Sequence, residues 1–363
     1  MEFGLSEAQR ALQQAVLRFL DRASSPDKVR KAANGERAAR EEIRRGLNRL
    51  GVTGLVVPES FGGLGLTVLD AALTQEALGR NAAPADILSD TMAVVGIQQA
   101  GTQLQKQRWF ADVLSAEVRF GVALSHRTGA RDGAGVRVEG GRLDGKALFA
   151  LGTDAATHFM VADDYGGLWI VDRDAPGLGV IALVTIDPTR SVGELRMERV
   201  QAEPLSSGAD MAAVVDHMIA VGRTLLAADT LGAAQRMLEH AVAYSMERRQ
   251  FDRVIGSFQA VKHLCAEMAA EIEPSRSLVW YAAYAADARP GEASLMACHA
   301  KAHLAEVGQL VARTATEVHG GIGFTDELGL HHWFKRIGLN RQLLGGPERL
   351  RREAGRLQGW AQA

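Results

Sequence analysis

Cysteine is scarce. Only Cys265 and Cys298 occur in 363 residues, far apart and in helical surroundings, which excludes a disulfide framework and suggests reduced, buried thiols. An excess of either charge is also lacking: 41 Lys and Arg stand against 43 Asp and Glu. That balance gives no electrostatic reason to expect nucleic acid or an anionic membrane as a partner. Apolar runs fall short of the ~18 residues a membrane span needs, and the acidic, amphipathic start has no secretory hydrophobic region. The expectation is a cytoplasmic enzyme subunit without a membrane segment. At 47% apolar, the chain can bury more than one core, so two or three packed units are expected.

Two familiar signatures are missing as well. The GGLG at 62–65 follows no strand–helix unit and lacks the third glycine of a dinucleotide fingerprint. His299 and His303 have i, i+4 spacing in CHAKAH, but no Glu flanks the first and no third ligand is evident, so no metal is expected there. His331 and His332, with Lys335 and Arg336, suggest a solvated or interfacial helix face.

What is present has a clear order. Residues 1–119 are predicted to be helical, with Leu5, Leu12, Val16 and Leu20 at helical spacing, a charged helix and loop over 21–45, and a break at Pro58–Gly65. Residues 120–208 switch to short alternating runs (VRVEGGRLDG, HFMVADDYGGLWIVDRD, GVIALVTID, ELRMERVQ) with turns at Gly140-Gly141, Gly166-Gly167 and Pro176-Gly177. This predicts a small antiparallel β domain. Helical periodicity fills 209–363 and suggests a four-helix bundle.

Two stretches carry the functional signal. Met246–Met268 sets Arg248 and Arg249 beside Gln250 and Phe251, then an expected apolar helix with Val254, Phe258, Val261 and Met268 on one face. A guanidinium fork at a helix end suits a pyrophosphate. Ala315–Ile337 carries Gly320, Gly321 and Gly323, where a bare backbone can lie against a flat ligand. In this order they resemble the C-terminal signatures of the acyl-CoA dehydrogenase family, R-x-Q-F-G…FQ-x-x-x-H and Q-x-x-GG-x-GF-x-x-E. The matching residues are Arg248, Gln250, Phe251, Phe258, Gln259 and His263, then Gly320, Gly321, Gly323, Phe324 and Glu327. The opening MEFGLSEAQRALQQAVLRFL and GLVVPESFGGLGLTVLDAALTQEALGR extend the likeness over most of the chain.

The resemblance implies an α+β multidomain fold: a helical domain, a β domain and a helical bundle. It also implies FAD as hydride acceptor, desaturation of an acyl-CoA, and an electron-transfer flavoprotein or similar acceptor as redox partner. In the family the first arginine, Gln and Phe and the Gly-Gly pair reach across a subunit interface to the ADP half of a neighbour's FAD. Arg248, Gln250, Phe251, Phe258, Gln259, His263, Glu317, Gly320 and Gly321 are therefore the expected cofactor contacts. Asp252 and Glu317 place acid where the family has Gly and Gln, and His319 is expected as a loop neighbour of the nucleotide.

Other positions depart further. The family's flavin-ring loop T-E-P-G-x-G-S-D aligns with LSHRTGARD at 124–132, and its W-I-T word with Phe149, Ala150 and Leu151. Leu cannot donate to a ring acceptor, and Phe149 and Leu151 are expected to fill β-domain core. The catalytic carboxylate has two known addresses in the family, and here they hold Gly222, before Arg223, and Gly345. No catalytic residue is therefore assigned. Asp229, Glu239 and Glu348 are weighed as substitute bases, with helix-face or capping roles preferred. The leading expectation is the non-catalytic subunit of a heterotetramer of the bacterial steroid side-chain type, paired with a homologous chain. A self-sufficient homodimer with a displaced base and a flavin-dependent monooxygenase on the same fold are the alternatives.

Overall fold

The computed structural model of the chain describes residues 4–128 and 133–360, the His126 side chain excepted. Six helices come first: α1 (Glu7–Ala23), α2 (Pro26–Ala33), α3 (Arg37–Arg49), α4 (Val68–Arg80), α5 (Ile87–Ala100) and α6 (Gln103–Leu114). Capping boxes begin three of them, pairing Ser6 with Gln9, Thr67 with Asp70 and Thr102 with Gln105. Each satisfies two otherwise orphaned N–H groups and so fixes where the helix starts. The segment over 21–45 is more than a solvated helix and loop. It supplies α2 and most of α3, which bury Val29, Ile43 and Leu47. With Ala32 and Ala39 also buried, five apolar residues among many charges are enough to seat both helices, and Ile43 and Leu47 lie one turn apart.

The middle region contains β1 (Phe120–Ala123), the one-turn helix α7 (Ser125–Thr128), β2 (Gly135–Glu139), β3 (Arg142–Leu151), β4 (His158–Ala162), β5 (Leu168–Asp172), β6 (Leu178–Ala182), β7 (Val192–Gln201) and β8 (Glu203–Pro204). They form one sheet in the order β6-β7-β3-β1-β4-β5-β8, with β2 on β3. The sheet is mixed rather than antiparallel, since β1 runs parallel to β4, Phe120 opposite His158 and Ala123 opposite Val161. All four residues of β1 are buried. A strand covered on both faces has no alternation to reveal it in sequence.

The remainder comprises α8 (Met211–Glu247), the hairpin strands β9 (Arg249–Gln250) and β10 (Arg253–Val254), α9 (Gln259–Ala288), α10 (Pro290–His319), α11 (His331–Gln342) and α12 (Pro347–Leu357). Helix α8 is long and apolar enough to cross a membrane, although no uninterrupted apolar run suggested it, and 72% of its apolar window is buried inside the fold. It is the core helix, packed on α4, α5, α9, α10 and α11, and such a helix is apolar all round. Its crossing with α4 brings backbones into contact. A Cβ on Gly79 would lie 1.9 Å from the Asp229 carbonyl oxygen, and one on Gly232 1.9 Å from that of Glu76.

Candidate functional site

Helix α9 returns along α8, and only Arg289 separates it from α10. The C-termini of α8 and α10 and the N-terminus of α9 therefore share one end of the bundle. Tyr244 of α8 stacks on His319 of α10 there, ring centroids 4.7 Å apart. Every residue matched to the two C-terminal signature words lies at this end. Arg248 is the C-cap of α8, a position where the helix dipole favours a cation. It is exposed, and its guanidinium makes no hydrogen bond among the described residues. Gln250, Gln259, His263, Glu317, Gly320 and Gly321 are also exposed, while Phe258 is partly buried. Nothing lies within 4 Å of where a Cβ would stand on Gly320 or Gly321, so the bare backbone is open to a flat ligand.

Three local expectations change. Val254 and Phe258 do not belong to the apolar helix, because 249–254 forms a hairpin and α9 starts only at Gln259. Its turn is Phe251-Asp252, with φ of +51° and +62°, the signs of a type I′ turn, built here without the usual Asn or Gly. The turn leaves Phe251 86% exposed at the tip, edge-on to Phe258, over which Arg253 stacks at 3.9 Å. Asp252 is held within the turn, its carbonyl accepting from Arg249. His319 is not a loop residue but the buried last residue of α10, its Nδ1 2.7 Å from the Ala315 carbonyl. That bond and the Tyr244 stack turn its ring inward.

In the stretch aligned with the family's W-I-T word, Leu151 is buried as expected, but Phe149 is 48% exposed. The β3–β7 register slips between Ala147 and Ala150, and Phe149 takes φ +55°, so the bulge carries its side chain out of the core. An aromatic face is left exposed there. The aligned loop begins as α7, which is tied to the bundle by an Arg127–Asp216 ion pair and by Arg349 donating to the Arg127 carbonyl at 3.2 Å. Gly129 and Asp132, the two family-like residues of this loop, lie outside the described residues.

At the first vacant carboxylate address, a Cβ on Gly222 would meet Met92 Sδ at 2.7 Å and Leu344 Cδ1 at 2.6 Å. The arrangement is reciprocal: a Cβ on Gly96 of α5 would meet Met218 Sδ at 2.7 Å and Met160 Sδ at 2.8 Å. Each helix thus sends a methionine into the other's glycine notch, and Met92, Met160 and Met218 are fully buried. The flexible thioether suits such irregular gaps. Neither methionine was singled out in the sequence, although MAVVG and MIAVG repeat the spacing.

At the second address, Leu344 and Gly345 take φ of +57° and +109°. Arg223 Nε donates to the Leu344 carbonyl and Lys301 Nζ to that of Gly345, both at 3.0 Å. Arg223 also grips Glu353 bidentately at 2.6 and 2.9 Å. Burial, with Arg223 and Arg341 adding to it, brings the Lys301 amine down to about 7. Burial pushes the neighbouring Cys298 thiol up to about 12, leaving it inert.

The three candidate substitute bases are committed elsewhere. Asp229 is fully buried and takes a bidentate grip from Arg336, both contacts at 2.8 Å, an ion pair from Arg190 at 2.7 Å, and donors from Asn340 and Gln75 at 2.7 Å. Burial alone would raise its carboxyl, but the two guanidiniums and the hydrogen bonds outweigh burial and hold it well below the usual range. Glu239 pairs with Arg80 and Glu348 with Arg341. Two cavities lie apart from all of these residues. One of about 900 Å³ is lined by residues that include Glu59, Gln98, Asp210, His217 and Asp287, and one of about 740 Å³ by residues that include Arg137, Asp144, Lys146, Arg196 and Arg199.

Comparison with known proteins accounts for this arrangement. Residues 6–117 match the acyl-CoA dehydrogenase N-terminal domain, and residues 212–357 match the acyl-CoA dehydrogenase C-terminal domain. The acyl-CoA dehydrogenase IpdE2 of Mycobacterium tuberculosis is 29% identical over 95% of this chain and 96% of its own length. FadE27 of the same organism is 29% identical over 98% of both. Among solved structures, the ChsE4-ChsE5 complex from Mycobacterium tuberculosis is 28% identical with a TM-score of 0.88, covering 100% of both chains. A Tcur3481-Tcur3483 steroid ACAD variant is 29% identical with a TM-score of 0.87, covering 97% of this chain and 98% of the other. With helical domain, sheet and bundle in the same order and both family words at one end of that bundle, the chain belongs to the acyl-CoA dehydrogenase family.

Proposed function

We propose that this chain is the non-catalytic partner in a heteromeric FAD-dependent acyl-CoA dehydrogenase, contributing ADP-side contacts to a flavin whose ring is held by a homologous chain. The observation that carries this reading is Gly222. The space a basic carboxylate would enter is packed with Met92 and Leu344, and the neighbouring gap over α5 is packed with Met160 and Met218. In the family these helices cover the acyl end of the substrate, so the chain's own acyl position is filled. Asp229 cannot substitute, because a carboxylate neutralised by two arginines and held strongly acidic does not accept a proton at pH 7.

Bound FAD would supply the hydride acceptor for α,β-desaturation of an acyl-CoA. This chain's part is to bind. Arg248, exposed and without an ion pair among the described residues, presents a fork for phosphate oxygens; Gly320 and Gly321 offer bare backbone; Phe251 offers a flat apolar tip. Asp252 and Glu317 nearby limit how much negative charge the surface accepts. The relatives named above include a complex of two different chains and a steroid dehydrogenase, which favours a bulky steroid-like thioester as the substrate of the assembly.

Expressed alone, the chain should be colourless and inactive with an artificial electron acceptor. Co-expressed with its partner chain, it should co-purify as a yellow, active complex. A stoichiometric yellow chromophore with dye reduction by the lone chain would defeat the proposal. Within the complex, Arg248→Ala should lower flavin content and leave this chain's own stability within about 0.5 kcal/mol, as expected for an exposed side chain. Flavin absorbance per protein and urea unfolding measure the two effects separately.

A further inference from the structure

The loop after the glycine bend and the first turn of α11 bring together Asp326, His331 and His332. One ligand-capable atom from each lies within 4.8 Å of the others. His331 Nε2 is 3.5 Å from Asp326 Oδ1, and the two imidazole rings face one another, centroids 4.1 Å apart. His332 is only 3% exposed, and both its ring nitrogens are buried without a hydrogen-bond partner among the described residues. A buried polar side chain left in that condition costs free energy and calls for an explanation. The sequence suggested a solvated or interfacial face here; instead His332 points inward beside a carboxylate.

We propose that Asp326, His331 and His332 form a Zn²⁺ site, with two imidazole nitrogens and one carboxylate oxygen as ligands. This donor set suits Zn²⁺ rather than Mg²⁺ or Ca²⁺, which prefer oxygen alone. Zinc–ligand bonds of ~2.0–2.2 Å require the three groups to draw together. Asp326, with its exposed side chain, and the partly exposed His331 would be the groups to move, around the buried His332. The competing cation is Arg30 of α2, whose Nε lies 3.1 Å from Asp326 Oδ2 and whose Nη2 donates to the Asp326 carbonyl at 2.9 Å. A bound ion would clip the 325–330 loop to α11, immediately after the bend that carries Gly320 and Gly321.

The test uses the full chain without a polyhistidine tag, titrated with Zn²⁺ by calorimetry and with Co²⁺ by visible absorption. One saturable site is expected, with Asp326→Asn, His331→Gln and His332→Gln each weakening binding by at least roughly tenfold. Arg30→Gln should tighten it, because the carboxylate is then no longer shared. His299→Gln and His303→Gln, which alter the i, i+4 pair on α10, should leave it unchanged. Absence of saturable binding overturns the proposal, and so does binding that survives Asp326→Asn and His331→Gln together. If His332→Gln fails to fold, those two substitutions nearer the surface and the opposite effect of Arg30→Gln still decide the question.

Discussion

Asp229→Asn should destabilise the chain by about 3–5 kcal/mol, the cost of leaving buried charge uncompensated. The carboxylate joins Arg336 and Asn340 of α11, Arg190 before β7 and Gln75 of α4 to the core helix α8. Arg336 extends the network by donating to the Ala83 carbonyl and Thr189 Oγ1. Removing the negative charge strands two guanidiniums where water cannot reach them. Urea unfolding at pH 7 measures the loss, and a midpoint within error of wild type would show that the network adds nothing to stability. The pH dependence gives a second check. Because the folded carboxyl lies below its ordinary value of 3.8, unfolded chains bind the extra proton first. The stabilisation is therefore complete above about pH 4–5 and is lost as pH falls through and below that value. Wild type should lose stability steeply from pH 5 to 3, and Asp229→Asn should lose less over the same range.

Returning a carboxylate to the first vacant address should be nearly as damaging. Gly222→Glu must displace Met92 and Leu344 from contacts of 2.6–2.8 Å. Overpacking costs about 1–3 kcal/mol, and an unpaired carboxylate among methionines adds several more. Poor solubility or a large fall in the urea midpoint is expected, with no dehydrogenase activity from the lone chain. Gly345→Glu should be milder. The nearest atoms there are 3.4–3.7 Å away and Arg223 is within reach, so the main cost is the φ of +109°, about 1–3 kcal/mol. Shortening the obstruction should help the first variant: Met92→Ala combined with Gly222→Glu should recover part of the lost stability. Equal damage in single and double variants would mean that Met92 is not what closes the notch.

The sequence revealed most where backbone chemistry acts locally. Glycines at 320 and 321, the arginine at the end of α8 and the alternating runs of the sheet were legible because each acts within a few residues. Phe251-Asp252 was missed because its left-handed turn opens on Phe and contains no Gly or Asn, leaving one Asp as the signal, so the hairpin looked like the start of a helix. Strand β1 was missed because burial on both faces removes alternation. Asp229 stood in the sequence as one acid on a helix. Its partners come from α4, from the loop before β7 and from α11, up to 154 positions distant for Gln75, and no local pattern encodes such a meeting. The two Met-x-x-x-Gly words were visible, but their meaning depends on α5 and α8 lying against each other.

That interlocking pair has a historical consequence. A chain that has lost its catalytic glutamate can regain it by a single codon change only while the gap it left stays open. Here the space over Gly222 is filled by Met92 from the opposite helix, and the space over Gly96 by Met218 in return, so a one-step Gly222→Glu change meets a packed neighbour. On the proposed role, dependence on a companion subunit is undone only by at least two coordinated substitutions.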